Sequence, residues 1–266
     1  GTTAAKTAYV IANTGALANG PFANVTTEAD LKAVTGDLIS GNAATQTKNN
    51  LWMSGTDDIT FSGTDGSVTV QLGFVAAKIE LIVKDNRTNL TGGTIEITDE
   101  NVVLLYAGKS GKFFGTTADK AAQTAFYSGD VSYPDFQAGV ATESAVLKDA
   151  VGATFTANAN GDVFNHFYTF GNDGTSKPTI LAIQSKRTVG GADETIYYPI
   201  QFTVADAGNT IEPGNAYTVT LTLNGDVSAG GGGGTTNPEQ PLVKSQITVT
   251  VTAATWLAKT VSKDFN

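Results

Sequence analysis

From Ala216 to Asn224 apolar and polar side chains alternate, with Tyr217, Val219, Leu221 and Leu223 on one parity and Thr218, Thr220 and Thr222 on the other. A period of two predicts a strand with one face in a core and one in water. Strands are also predicted at Thr7 to Asn13, around Ile59 and Phe61, at Ile95 to Ile97, and at Val103 to Tyr106. A second strand-rich block starts near Thr154 and runs through Phe164 to Gly171, Pro178 to Ser185 and Thr195 to Val204. The pattern slips once, near Gly73-Phe74. Val68, Val70, Leu72 and Phe74 share one parity and Val75, Ala77, Ile79, Leu81 and Val83 the other. A continuous strand would turn one of these sets to water, so a bulge or a change of sheet is expected. Thr26 or Thr27 caps a short predicted helix running to about Ile39, with Glu28 and Asp30 in its first turn. Another short helix is expected at Glu143 to Asp149.

The residues from Gln246 to Asn266 repeat the strand period. Ile247, Val249, Val251, Leu257, Val261 and Phe265 are odd-numbered and apolar, while Trp256 falls on the other parity. They follow Gly230, Gly231, Gly232, Gly233 and Gly234 and a run that reaches Pro238 and Pro241. Glycines, two prolines and no apolar period describe a flexible hinge over about residues 228–241. A tail of about 245–266 behind such a hinge can pair away from its own body. The competing reading is a final hairpin strand completing its own domain's sheet, with the glycine run as a long loop.

At 266 residues with 41% hydrophobic residues, the chain has material for two cores. Its 30 glycines and 15% charged residues suit sheets with glycine-rich turns. The expected fold is mainly all-β, two β-sandwich domains at residues 1–152 and 153–266, with a few short helices. A net charge of −9 argues against nucleic acid, which needs a basic face, and points to proteins or sugars as partners. There are no cysteines, which removes disulfides and thiolate chemistry. No stretch approaches the roughly 20 apolar residues of a spanning helix, so the mature form is not expected to span a membrane.

Catalytic chemistry is poorly supplied. The single histidine, His166, lacks a second histidine or a cysteine for a metal and a nucleophile for a triad, and reads as a structural strand residue. Gly108-Lys109-Ser110-Gly111-Lys112 lacks the first glycine of a phosphate loop and reads as a turn. Asn158 to Asp162 resembles a calcium loop only in composition. Asp57, Asp58, Asp65, Glu96, Asp99, Glu100, Asp193 and Glu194 are dispersed and serve solubility. Trp52, Tyr127, Tyr133 and Phe136 read first as loop anchors, and second as a surface for a sugar or a protein. No enzyme, no cofactor and no metal site are expected.

Five segments, in order, resemble the fimbrillins, the type V pilins that form major fimbriae on Gram-negative anaerobes. They are Tyr9 to Ala16 with Ala29 to Thr35; Phe74 to Leu81; Phe170-Gly171-Asn172 with Pro178 to Leu181; Ile211 to Tyr217; and Asn237 to Pro241 leading to Val249-Thr250-Val251 and Trp256. The resemblance implies transthyretin-like sandwiches, a precursor exported as an outer-membrane lipoprotein, and arginine-specific removal of an N-terminal strand. It further implies polymerisation by donor-strand exchange into a cell-surface fimbrium, with other copies of the chain and accessory fimbrial subunits as partners. On this sequence the donor maps onto Ile247 to Asn266. Ile247, Val249, Val251, Leu257, Val261 and Phe265 fill a neighbour's groove, and Trp256 covers the outer surface or braces the exit. Family members usually carry a further strand-bearing segment before the one matching Thr7 to Asn13. That segment has been removed or this is a shorter relative; the first arginine is Arg87, and no processing site is assigned within these residues. The alternative is a minor or tip adhesin that holds a glycan or host protein through loops at residues 108–140.

Overall fold

A computed structural model describes residues 6–13, 22–37, 51–90, 92–98, 101–115, 126–127, 148–150, 155–156, 160–229, 232–242, 247–255 and 260–265. Its first part holds β1 (Thr7–Ala12), β2 (Thr35–Asp37), β3 (Met53–Asp58), β4 (Thr60–Ser62), β5 (Asp65–Gln71) and β6 (Gly73–Phe74), with one helix, α1 (Glu28–Ala33). Then come β7 (Ala77–Asp85), β8 (Thr94–Ile97), β9 (Val102–Leu105), β10 (Ala107–Gly108), β11 (Ser110–Lys112), β12 (Phe126–Tyr127), β13 (Lys148–Ala150) and β14 (Phe155–Thr156). The remainder is β15 (Asn160–Thr169), β16 (Ile180–Val189), β17 (Ala192–Gln201), β18 (Asn215–Leu223), β19 (Ile247–Thr255) and β20 (Thr260–Phe265). The fold is all-β and sandwich-like, built from several sheets.

Two large sheets form the main sandwich. One has the order β13-β15-β7-β18-β19, and the other β14-β8-β16-β17, with β9 also paired to β16. The alternation read at 216–224 is realised in β18, whose Tyr217, Val219, Leu221 and Leu223 are buried. They lie beside Ile79, Leu81 and Val83 of β7, with Val219 opposite Leu81 in a parallel pairing. Leu181 and Ile183 of β16 and Ile196, Tyr198 and Ile200 of β17 belong to the same core. Burial of these apolar faces is the main stabilising contribution.

Two smaller sheets, β1-β3-β6 and β20-β5-β4, surround a second cluster of Met53, Val68, Val70 and Leu72, with Val10, Ile59 and Phe74 partly buried against it. The slip at Gly73-Phe74 is a change of sheet: Val68, Val70 and Leu72 face this cluster, whereas Val75, Ala77 and Ile79 face the main core. A stack of Trp52, Phe113 and Phe170 links the first part to the sandwich, with Trp52 and Phe113 centroids 5.0 Å apart. A Cβ on Gly36 would meet the Trp52 ring at 1.8 Å, and one on Gly111 the Phe170 ring at 2.4 Å. Both glycines allow backbone to lie flat on an aromatic face.

Several expectations change. Strands on both sides of residue 152 share the large sheets, as in the β15–β7 and β16–β8 pairs, so the division expected there cuts through hydrogen-bonded sheets. Strand partners change instead between β5 and β7. Helix α1 has the expected cap, with Thr27 and Asp30 forming a capping box, but stops at Ala33 rather than Ile39. Val34 is already extended, and Thr35–Asp37 pair with β11. Lys148–Ala150 form a strand against Asn165–Phe167 where a helix was expected, and residues 143–147 lie outside the described residues. Gly108 to Lys112 is two short strand segments rather than a turn.

Candidate subunit interface

The tail consists of two strands. β19 lies antiparallel to β18 over nine residue pairs, from Asn215 opposite Thr255 to Leu223 opposite Ile247. Ile247 is buried, Val249 and Val251 pack partly buried against the main core, and the even-numbered threonines face solvent. Ile247, Val249 and Val251 thus point into the chain's own sandwich, while Ala253 and Thr255 are exposed. Trp256 and Leu257 lie outside the described residues. β20 then leaves the sandwich and pairs with β5, with Val261 opposite Val70 and Phe265 opposite Gly66. β5 is thus held between β20 and β4, and its Val68 and Val70, with the adjacent Leu72, are buried.

The segment expected as a hinge is packed where it is described. Gly232, Gly233, Gly234 and Thr235 are buried; Gly230 and Gly231 lie outside the described residues. Gly232 lies against the Asp226 carbonyl and Gly234 against Ile196, where an added Cβ would come within 1.6 and 2.2 Å. The glycines serve close approach rather than freedom. Thr235 exchanges two backbone hydrogen bonds with Tyr197 of β17, at 2.8 and 3.0 Å. Farther along, the Tyr106 hydroxyl donates to Glu239 Oε1 at 2.8 Å, and Gln201 Nε2 donates to the Glu239 carbonyl at 2.9 Å. Val227 and Leu242 enter the main core at the two ends. Between them the segment is a strap along the edge of β17.

Other polar groups serve the frame. Arg87 and Asp85 form an ion pair at 2.9 Å with both side chains fully buried, and Arg87 Nη1 also donates to the Gly93 carbonyl at 2.7 Å. Tyr217, near the start of β18, donates its hydroxyl to the Thr210 carbonyl at 2.9 Å and accepts from the Glu212 amide at 2.8 Å. That corner fixes the turn leading into β18. Burial pushes the Tyr217 phenol up.

The candidate chemistry does not converge. His166 lies on β15 opposite Glu80 in register. Among the described residues no three His, Cys, Asp or Glu side chains are placed to hold a metal ion. Trp52 is buried and anchors the aromatic stack rather than offering a surface. Tyr133, Phe136 and most of the 108–140 loop region lie outside the described residues. A cleft of about 500 Å³ is lined by Tyr9, Glu28, Lys32, Thr56 and Phe114. Its charged groups already satisfy one another: Lys32 bonds Glu28 at 2.6 Å, and this bond, followed by one from Tyr9, holds the Glu28 carboxyl below its usual range.

Two family models match the chain. Residues 76–256 match the FimA-like major fimbrial subunit protein, C-terminal domain, and residues 1–65 match the major fimbrial subunit protein (FimA). The gap between the matches falls where strand partners change. A crystal structure of a protein from Bacteroides eggerthii assigned to cell adhesion is 60% identical, with 96% of this chain and 80% of that one covered and a TM-score of 0.74. Two Parabacteroides distasonis proteins, also assigned to cell adhesion, are similar in fold, at 15% and 14% identity and TM-scores of 0.54 and 0.51. They cover 95% and 93% of this chain, and 83% and 74% of their own. A comparison with curated proteins gives no match.

Proposed function

The chain belongs to the FimA-like family of major fimbrial subunits, structural proteins of cell-surface fimbriae rather than enzymes, and from that premise we propose that it polymerises by exchange of β20. In the closed subunit β20 occupies the outer position beside β5. In the polymer the same position is filled by β20 of a neighbouring subunit, and each subunit extends its own strand onward. One observation carries this reading: β20 belongs to a sheet of the first part of the chain while following, in sequence, a strand of the main sandwich.

The contacts of β20 with β5 are the same in cis and in trans, so their strength does not choose between the two. The choice lies with concentration. A docked tail competes at an effective concentration on the order of millimolar for a short connection. Assembly therefore starts from subunits whose slot is empty or whose tail is undocked, as in strand addition by other sheet-edge systems. We further propose that the first unit comprises residues to about 75 plus β20, that the subunit reaches the surface as a lipoprotein precursor, and that accessory fimbrial subunits use the same slot.

The test is removal of residues 256–266, which spares β19 and the core contact of Ile247. The shortened protein is expected to keep its far-ultraviolet spectrum and to form no filaments in negative-stain micrographs. Filaments from the shortened protein would refute β20 as the donor.

A further inference from the structure

The two large sheets have five outer strands, β13, β19, β14, β9 and β17, and among the described residues only one of their edges is both long and uncovered. β13, β14 and β9 have three, two and four residues. β17 is covered by the strap through the Tyr197–Thr235 bonds. β19 pairs with β18 on one side over nine residues without a register shift, and no described strand lies on its other side. About half of its backbone N–H and C=O groups therefore point outward in a regular row. Sheet proteins usually protect such an edge with a lysine, a proline, a bulge or a covering segment. Residues 247–255, Ile-Thr-Val-Thr-Val-Thr-Ala-Ala-Thr, contain no charge, proline or glycine.

We propose that the outer edge of β19 is a self-association surface, on which a second copy of this chain docks its own β19 antiparallel about a two-fold axis. Charge argues for a second copy as the occupant. Two chains of net charge −9 repel over most of their surfaces, but here each presents a neutral stripe. Parity argues for it as well. Pairing centred on Val251 places Val249 opposite Ala253 on the odd-numbered face and Thr250 opposite Thr252 on the solvent face, so the two copies keep their odd-numbered faces on the same side of the joined sheet. The two five-stranded sheets then join into one. Such a contact is isologous and closes on itself, so it pairs two subunits or two filaments side by side and does not lengthen a filament.

Sedimentation velocity of the full-length chain over a dilution series tests this. The expected result is a reversible monomer–dimer equilibrium. The T250K/T252K variant places lysines opposite lysines at the contact and is expected to dissociate at about tenfold higher concentration. The T250E/T252E variant is expected to behave the same way, and an equimolar mixture of the two is expected to restore the dimer. These side chains are exposed, so an unchanged circular dichroism melt serves as the folding control. A wild-type chain that stays monomeric, or a lysine variant that dimerises like wild type, overturns the proposal. The contact is separate from β20 exchange: a chain whose β20 is cross-linked to its own β5 is expected to dimerise still, and loss of the dimer on that cross-linking overturns the assignment to β19.

Discussion

Cross-linking of β20 to β5 gives the sharpest test of how subunits join. Thr69 lies opposite Ser262 in the β5–β20 register, and Thr69 is exposed, so T69C/S262C removes no core side chain from β5. Directly opposed antiparallel residues have Cα separations of about 4.5 to 5.5 Å, within the range a disulfide spans. The chain has no other cysteine, so the bond has one possible intramolecular connectivity. The closed loop contains roughly 190 residues, for which chain entropy gives about 5 kcal/mol of stabilisation. For a chain of this size that corresponds to a rise in Tm of about 10 °C if it unfolds as one unit. Oxidation before assembly is expected to raise Tm and abolish filaments, and reduction to restore them. Oxidation after assembly is expected to give a ladder of covalent multimers on a non-reducing gel, because each bond then joins two subunits. Filaments that grow from the oxidised monomer, or that dissolve into closed monomers after oxidation, would show that β20 stays at home.

Two further substitutions test the frame. Tyr217→Phe keeps the ring but leaves the Glu212 amide and the Thr210 carbonyl without the hydroxyl, and is expected to cost about 1 to 3 kcal/mol in urea unfolding; an unchanged midpoint would show that the corner carries no net stability. Gly234→Val drives a side chain into Ile196 and the Val227 carbonyl, and is expected to cost about 1 to 3 kcal/mol and to speed hydrogen exchange at Tyr197 and Thr235; unaltered exchange would argue that the strap is not held by that packing.

Much of the local structure was legible because strand and cap signals are local. The alternation of β18 followed directly from its four apolar and three threonine positions, and Thr27 with Asp30 announced the cap of α1. The parity slip at Gly73-Phe74 marked the change of sheet. Which strands lie on either side of that change is not in the parity, which tells the face a residue takes and not which strand lies beside it. The strand that β20 pairs with, β5 with its buried Val68 and Val70, was hidden for the same reason: in sequence it is one alternating strand among many.

The glycine run misled because composition records freedom and not contact. Gly232 and Gly234 are small because Asp226, Ile196 and Tyr198 leave no room for a Cβ, and none of those neighbours is adjacent in sequence. By itself the sequence determined most of the longer strands, which of their faces are apolar, and that an alternating segment follows the glycine run, since each of these depends on residues a few positions apart. Only the tertiary structure decided that the tail divides between two sheets, that the strap covers one edge and that another has no described strand beside it. Those outcomes depend on strand partners from 24 residues apart (Leu223 and Ile247) to 199 apart (Gly66 and Phe265), whose pairing is set by burial and hydrogen-bond satisfaction over the whole molecule.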